Sequence, residues 1–322
     1  MSDVDNERAV DFHHHAITDL YRERLRARAS GASGAAGLPG VPGWGPDTSV
    51  AWMDEVGIER ALLSPAARGF GVGDTESVVG FASAMHDELL ALRDARPERF
   101  GVLAPLPLPS LDHALRHTES ALRRDGIDGI AALTQYAGHY FGEPAWDELL
   151  DLLNREAALV HVHPTAPSIA PLRDHVGPNL VEYPFDTTRV AVLLGKRHVF
   201  SRFPDIRWVF AHGGGTLPFV VDRLTEPPGT IDGGDSLAAM LDASCFDTAL
   251  LGRPALAALA AFAGVERIVF GSDAPFIHGD RLDRLFDGVT GAFPDEAARS
   301  AVRRHTALRL LDRAPTASSG SR

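Results

Sequence analysis

Two histidines separated by one residue end the first apolar segment of the chain, Val10-Asp11-Phe12-His13-His14-His15. In an extended strand, His13 and His15 point to the same side. Two imidazoles held in this way can offer two nitrogen ligands to one metal ion. The apolar neighbours Val10 and Phe12 favour a buried strand over an exposed histidine cluster or a tag. A metal site of this kind needs further ligands from elsewhere in the chain.

More polar side chains stand where apolar segments end: His161 and His163 on one segment, His212 on the next, and Asp273 on the last. Each has an ordinary alternative: a core histidine for His161 and His163, a flexible turn for the glycines 213–215 that follow His212, and a helix cap for Asp273. His13 and His15, one histidine of the pair His161 and His163, and Asp273 together form a coherent nitrogen and oxygen donor set for a divalent metal. His212 would then remain beside the metal as a free acid or base.

Eight apolar, strand-like segments recur along the chain, and helical periodicity fills most of the intervals between them. The predicted strands are 9–12, 60–64, 101–106, 127–133, 158–163, 206–212, 241–245 and 267–271. The predicted helices are 16–26, 47–56, 77–96, 111–124, 145–155, 184–202, 216–224, 254–262 and 294–311. This alternation predicts an α/β fold, a closed (β/α)8 TIM barrel whose site lies at the C-terminal ends of the strands. A doubly wound open sheet is the alternative, but no Gly-x-Gly-x-x-Gly follows the first strand.

The barrel is predicted to form a single domain over residues 9–312, between tails at 1–8 and 313–322. Residues 27–46 are rich in Gly, Ala, Ser and Pro and predict a lid-like insertion after strand one. Asp47 is expected to cap the helix that follows, and Gly57 to end it.

Composition narrows the class of protein. The chain has 322 residues, with 45% hydrophobic and 23% charged residues and a net charge of −12. No basic patch of the kind that neutralises phosphate stands out, so a nucleic-acid partner is not expected. The single Cys245 excludes an intramolecular disulfide framework. Neither a signal peptide nor a membrane span is predicted, and a reducing cytoplasm fits best.

These motifs resemble those of the metal-dependent amidohydrolase superfamily. The closest resemblance is to the branch of aminocarboxymuconate-semialdehyde decarboxylase and the non-oxidative aromatic-acid decarboxylases, including the 6-methylsalicylate decarboxylase subgroup. The matching segments are 11–15, 162–165, 183–189, 210–219, 246–250 and 270–276, and the resemblance extends from about residue 9 to about 312. It implies that His13, His15, His163 and Asp273 bind one divalent ion, most simply zinc, with manganese also possible. It implies no organic cofactor.

The resemblance also assigns roles outside the ligand set. His212 would be the catalytic histidine, whereas His14 and His161 would be structural. Arg223 matches an arginine that reaches into the neighbouring subunit's site to hold a carboxylate, which implies a homodimer. The alternative places Arg223 in a surface ion pair with Glu226 or Asp222, on an outer helix covered by the insertion. The sequence departs from the semialdehyde decarboxylase pattern at Ser49 and Ala51, where arginines are expected. That departure argues against the same open-chain substrate.

Three functions remain open at this stage. The first is decarboxylation of a small aromatic, salicylate-type carboxylic acid, in which the ring carbon is protonated before carbon dioxide leaves. The second is hydrolysis of an amide, ester or lactone by a metal-bound hydroxide, which uses the same ligands. The third is a metal-stabilised binding protein. The intact set of ligands together with His212 argues against this last function.

Overall fold

Eight parallel β-strands lie side by side in chain order and close into a barrel. In the computed structural model they are β1 (Ala9–His15), β2 (Ile58–Ser64), β3 (Phe100–Pro105), β4 (Gly129–Leu133), β7 (Leu159–His163), β8 (Arg207–Phe210), β9 (Ser244–Asp247) and β10 (Ile268–Val269). The short strands β5 (Gln135–Tyr136) and β6 (His139–Tyr140) pair as a separate hairpin. Backbone hydrogen bonds from Phe12 N to Phe270 O and from Asp273 N to His13 O join the last strand to the first. The predicted (β/α)8 barrel is therefore confirmed.

The structure describes residues 8–29, 40–70, 74–124, 126–166, 176–225, 229–277 and 280–312. Both predicted tails, apart from Arg8, and residues 30–39 of the predicted insertion lie outside these ranges. Residues 27–29 of that insertion belong to a helix instead. In the part of the chain that is described, no helix has the length and apolar character needed to cross a membrane.

Helices surround the barrel. They are α1 (Asp19–Ala29), α2 (Pro46–Val56), α3 (Thr75–Ala95), α4 (Leu111–Leu122), α5 (Asp147–Arg155), α6 (Glu182–Lys196), α7 (Val199–Arg202), α8 (Leu217–Leu224), α9 (Leu237–Ala243), α10 (Arg253–Ala263), α11 (Asp280–Ala292), α12 (Glu296–Ser300) and α13 (Thr306–Leu311). A π-helical turn, Ala301–His305, joins α12 to α13. Side-chain N-caps stabilise the starts of α3 and α9. Asp74 accepts a hydrogen bond from Ser77 N at the start of α3, and Ser236 accepts one from Ala239 N at the start of α9.

The interior of the barrel is layered. Its lower part is apolar and is packed against α13. It holds two side chains from β1 and one from each of six further strands; these are Val10, Phe12, Leu62, Leu103, Leu159, Val209, Cys245 and Val269. Burial there raises the pKa of the Cys245 thiol to about 11. Because side chains alternate along a strand, the next inward residues on β7 and β9 are His161 and Asp247. The polar layer therefore begins two residues above the apolar one, at the C-terminal ends of the strands.

Several predicted elements differ from the structure. The predicted strand 241–245 is wrong, because α9 occupies Leu237–Ala243 and the strand begins only at Ser244. The predicted helix 184–202 is two helices, interrupted at His198, which has a left-handed φ of 57°. Helix α11 was not predicted. Gly45, rather than Asp47, is the N-cap of α2, whereas Gly57 ends that helix with a φ of 76°, as expected.

Candidate metal centre

The barrel brings the four predicted ligands together at the C-terminal ends of its strands. The ligand atoms of His13, His15, His163 and Asp273 all lie within 4.8 Å of one another. His13 Nε2 lies 3.1 Å from His15 Nε2, and Asp273 Oδ1 lies 3.4 Å and 3.3 Å from those two nitrogens. Three imidazoles and one carboxylate at this spacing fit a divalent ion such as zinc.

Hydrogen bonds on the far sides of the imidazoles orient them for this role. His13 Nδ1 donates to Asp247 Oδ2 at 2.8 Å, and His163 Nδ1 donates to Pro164 O at 2.7 Å. Each bond directs the Nε2 atom towards the cluster, where a bound ion would take the place of a proton on that nitrogen. The donor set and its supporting bonds both fit a bound ion.

A second group of possible ligands, His13, His161 and Asp247, shares one histidine with the first. Its members are fully buried, and their facing atoms already bond to one another, since His161 Nε2 donates to Asp247 at 3.0 Å. Asp247 also accepts from His212 N at 2.8 Å and from Ala249 N at 3.0 Å. We therefore interpret this second group as the support of the first rather than as a separate metal site.

Asp247 is the functional residue that sequence reasoning missed. It ends β9 and joins that strand to β1, β7 and the turn after β8 through the bonds above. Although burial opposes ionisation, its histidine partners hold the pKa of Asp247 well below the usual range. The signal in the sequence is a carboxylate at a strand end, and the predicted strand 241–245 hides it because that strand stops two residues before Asp247.

His212 lies beside the cluster with one ring nitrogen available. Its Nδ1 donates to Ala249 O at 3.1 Å, and among the described residues its Nε2 has no hydrogen-bond partner. The His212 and His13 ring centroids are 5.0 Å apart. Burial lowers the pKa of His212, so the ring is neutral and able to accept a proton. Its φ of 54° is a left-handed conformation that the tight turn imposes.

The glycines that follow His212 have a packing role. All three have a positive φ, and a Cβ on Gly215 would lie 1.9 Å from Pro184 O at the start of α6. The turn therefore requires glycine there to pass close to the neighbouring helix.

The cluster is electrostatically suited to a cation. Burial lowers the pKa of His15 to about 4 and the pKa of His163 well below its usual value. Burial opposes ionisation of Asp273, but His13 and His15 hold its pKa well below the usual range. Burial also opposes protonation of His13, yet Asp247 and Asp273 raise its pKa to about 10. A dication binding here would displace that proton.

His14 points away from the cluster. Its Nδ1 donates to Asp11 Oδ2 at 3.1 Å, and its Nε2 accepts from Ser49 Oγ of α2 at 2.8 Å. Asp11 also accepts from Ser272 Oγ at 2.6 Å and from His13 N at 3.1 Å. This buried carboxylate therefore joins the backbone of one ligand strand to the residue before Asp273.

The aromatic turn after β4 is mostly a packed core. Tyr136 is buried, and its hydroxyl accepts from Leu133 N at 2.8 Å. Tyr140 donates to the buried Asp186 at 2.6 Å, and Thr134 donates to the same carboxylate. On the other side of the cluster, the Phe276 ring contacts His15 edge-on at 5.5 Å between centroids.

Arg223 does not lie with the other predicted residues. It is exposed on α8, and it has no ion-pair partner among the described residues. Its predicted alternative partner Asp222 is also exposed, whereas Glu226 lies outside the described residues.

Comparison with known proteins identifies the family of this chain. Residues 10–313 match the family model described as amidohydrolase. Decarboxylase yanB of Aspergillus niger is 30% identical, with 94% of this chain and 87% of that protein covered. The 6-methylsalicylic acid decarboxylase of Penicillium expansum is 28% identical, with 94% and 96% covered.

A solved structure shares the fold. The dihydroxybenzoic acid decarboxylase of a Polaromonas species, crystallised with manganese and the inhibitor 2-nitroresorcinol, superposes with a TM-score of 0.80. It is 19% identical, with 95% of this chain and 97% of that chain covered. The family model spans nearly the whole barrel and includes every residue of the candidate centre. The chain belongs to the amidohydrolase family.

Proposed function

We propose that this chain is a metal-dependent, non-oxidative decarboxylase of a small aromatic acid that carries a hydroxyl ortho to its carboxylate. Similarity to decarboxylases over 94% of the chain is the observation that favours this reaction over hydrolysis. The candidate centre provides the groups that the reaction needs, namely the ligand cluster, a carboxylate and a histidine with a free Nε2. No organic cofactor is required.

His13, His15, His163 and Asp273 would hold one divalent ion, for which we propose zinc, with manganese as the alternative. When bound, the ion supplies a positive charge that fixes the carboxylate and phenolate oxygens of the substrate. Elemental analysis should find about one ion per chain, and His13→Ala should lose both metal and activity because the cluster then lacks one of its four ligands. His14→Gln is the matched control, since His14 faces α2. Full metal occupancy in His13→Ala would refute this ligand set.

Side chains of the centre then carry out the proton transfer. Direct cleavage of the bond between ring and carboxylate would leave a strongly basic aryl carbanion. A proton that is passed to Asp273, or that is held by an acid beside it, is instead transferred to the ring carbon, which becomes tetrahedral. The carbon–carbon bond breaks, carbon dioxide leaves, and the bonding pair restores the aromatic ring. His212 Nε2 stabilises the phenolate charge or shuttles the proton.

The test is release of carbon dioxide from a panel of salicylate-type acids by protein loaded separately with zinc and with manganese. Benzoate is the matched control, because without the ortho hydroxyl it offers one coordinating group fewer. Aryl esters and lactones form a parallel panel for the hydrolase alternative. Turnover of that panel alone, with no carbon dioxide from any hydroxy acid, would replace the proposal with hydrolysis.

We further propose that the working unit is a homodimer. Large apolar side chains are exposed on segments that follow the C-terminal ends of β7, β8 and β9; they are Leu180, Val181, Phe185, Phe219 and Leu250. Phe219 is 70% exposed on the same helix as Arg223. A two-fold contact would bury these side chains and carry Arg223 towards the partner's site, where its guanidinium could hold a substrate carboxylate.

A further inference from the structure

A cavity of about 310 Å³ lies behind the metal-binding strands, on the side opposite the candidate centre. We name it the back pocket and define it by His14, Trp44, Ser49, Trp52, Pro275 and Ile277, which line it. None of the predicted metal ligands, nor His212, lines it. Its volume is in the range of small-molecule sites.

The back pocket and the cluster lie on opposite sides of the junction between β1 and the segment that follows β10, which we call the seam. His13 and His15 turn towards the cluster, whereas His14 between them faces the pocket and binds Ser49. His15 N donates to Ala274 O at 2.7 Å, which closes the seam directly after Asp273. A molecule in the pocket would therefore lie against the reverse side of the two ligand-bearing segments.

The lining indicates the chemistry of a ligand. Two indoles, Trp44 and Trp52, line the pocket together with proline and isoleucine side chains, which suits a planar ring. Among the described residues that line it, none carries a formal charge, so a carboxylate would be buried without a cation. The site therefore selects against anions.

Two hydroxyl oxygens that line the pocket are available as hydrogen-bond acceptors. Thr48 Oγ1 donates its proton to Gly45 O at 2.9 Å, and Ser49 Oγ donates its proton to His14 Nε2 at 2.8 Å. Each oxygen therefore keeps lone pairs that can accept from a ligand. A bound ring that carries a hydroxyl donor suits these acceptors.

We propose that the back pocket binds a neutral phenol. A phenol has a planar ring and one hydroxyl donor, and with a pKa of about 10 it is uncharged near neutral pH. Loss of carbon dioxide from a salicylate-type acid leaves a phenol. The identification of this ligand with the reaction product therefore rests on the proposed decarboxylation. The pocket thus discriminates between product and substrate by charge.

Tryptophan fluorescence of the metal-loaded protein, titrated with 3-methylphenol, tests this proposal. Trp44 and Trp52 line the pocket while Trp146 and Trp208 are buried elsewhere, so a bound ring should change the emission in a saturable way. We expect a dissociation constant of about 1 mM or tighter. Binding should persist after the metal is removed with a chelator, and salicylate should not compete.

A glycine at the pocket provides a blocking variant. Gly43 lines the pocket and has no positive φ, and a Cβ there would meet no atom within 4 Å. Gly43→Phe should weaken phenol binding at least tenfold by occupying the pocket. Gly80→Phe is the matched control, because Gly80 is equally open but lies on α3.

Several results would overturn the proposal: no saturable binding, loss of binding with the metal, competition by salicylate, or normal binding by Gly43→Phe. Loss of phenol binding when the metal is removed, or competition by salicylate, would place the phenol in the metal centre instead. The titration requires no turnover. A chain that binds phenol but releases no carbon dioxide would therefore refute the proposed function and leave this inference standing.

Discussion

At the scale of single residues, the centre depends on histidines whose two ring nitrogens have different roles. His13 presents Nε2 to the cluster and bonds Asp247 through Nδ1. His212 is fixed through Nδ1, which leaves its Nε2 available. Because each ring is held from behind, its free nitrogen points in a defined direction before substrate arrives.

His212→Asn should lower turnover about a hundredfold or more while the metal is retained, the size expected when an acid or base group is lost. Asparagine is the suitable replacement because it tolerates the left-handed backbone at this position. Steady-state rates and metal content measured on the same preparation check the prediction. Unchanged turnover would remove His212 from the mechanism.

Gly271→Ala tests how tightly the ligands are packed. A Cβ at Gly271 would lie 2.9 Å from His13 Cβ and 3.0 Å from Asp247 Cβ, too close for either side chain to stay in place. We expect metal affinity to fall by about tenfold or more and stability by about 1–3 kcal/mol. Competition with a chelator and thermal melts measure the two effects.

Gly252→Ala is the matched control for Gly271→Ala. Gly252 has no positive φ, and a Cβ there would meet no atom nearer than 4.0 Å. Equal metal affinities for the two variants would show that the ligand strands can shift to accommodate an added methyl group.

At the scale of elements, the prediction from sequence was good where patterns are long and weaker where they are short. The barrel, its strand order and the grouping of His13, His15, His163 and Asp273 follow from apolar runs that end in polar residues. The segment before Ser244 was misread because a short apolar run does not distinguish helix from strand. No pattern in the sequence indicated that Asp247 would meet His13 and His161, since that contact depends on barrel closure.

Helices α3 and α4 carry a histidine pair outside the centre that should make stability depend on pH. The rings of His86 and His117 are 5.0 Å apart. Burial, and next the neighbouring His86, lower the pKa of His117 to about 4. The unfolded chain therefore binds more protons than the folded chain between about pH 6.5 and 4. This contribution to stability is complete above that window and is lost as the pH falls through it.

At about pH 5 the free energy of unfolding should have fallen by about 2 kcal/mol because of His117. His117→Gln should therefore show a smaller drop in melting temperature between about pH 7 and pH 5 than the unmodified chain. His113→Gln is the control, because His113 lies on the same helix and bonds Ser110 instead. An identical drop in melting temperature in all three proteins would show that protonation of the histidine pair does not destabilise the fold.

At the scale of the whole molecule, the open question is whether one barrel contains a complete site. Arg223 lies on the outer ring, and Phe219 on the same helix is exposed. If Arg223 serves the partner, His212→Asn chains mixed with Arg223→Ala chains should recover activity, because a mixed dimer contains one intact site. Random exchange predicts about a quarter of the unmodified activity.

Subunit exchange must be verified for that mixture, for example with a tag on one of the two chains. Activity that stays at the level of the separate variants, despite proven exchange, would confine Arg223 to its own subunit. A single-chain mass in solution would refute the dimer itself.

The closing of the barrel between β1 and β10 has a consequence for how the molecule is made. His13 belongs to the first strand to leave the ribosome, and Asp273 follows the last. The proposed ligand set is therefore incomplete in the nascent chain until the last strand of the barrel is translated, and an ion bound by all four groups would hold the first and last strands of the barrel together. A chain cut between β9 and β10 would divide the chelator between two fragments. Uptake of the ion would then report that the fragments had reassembled.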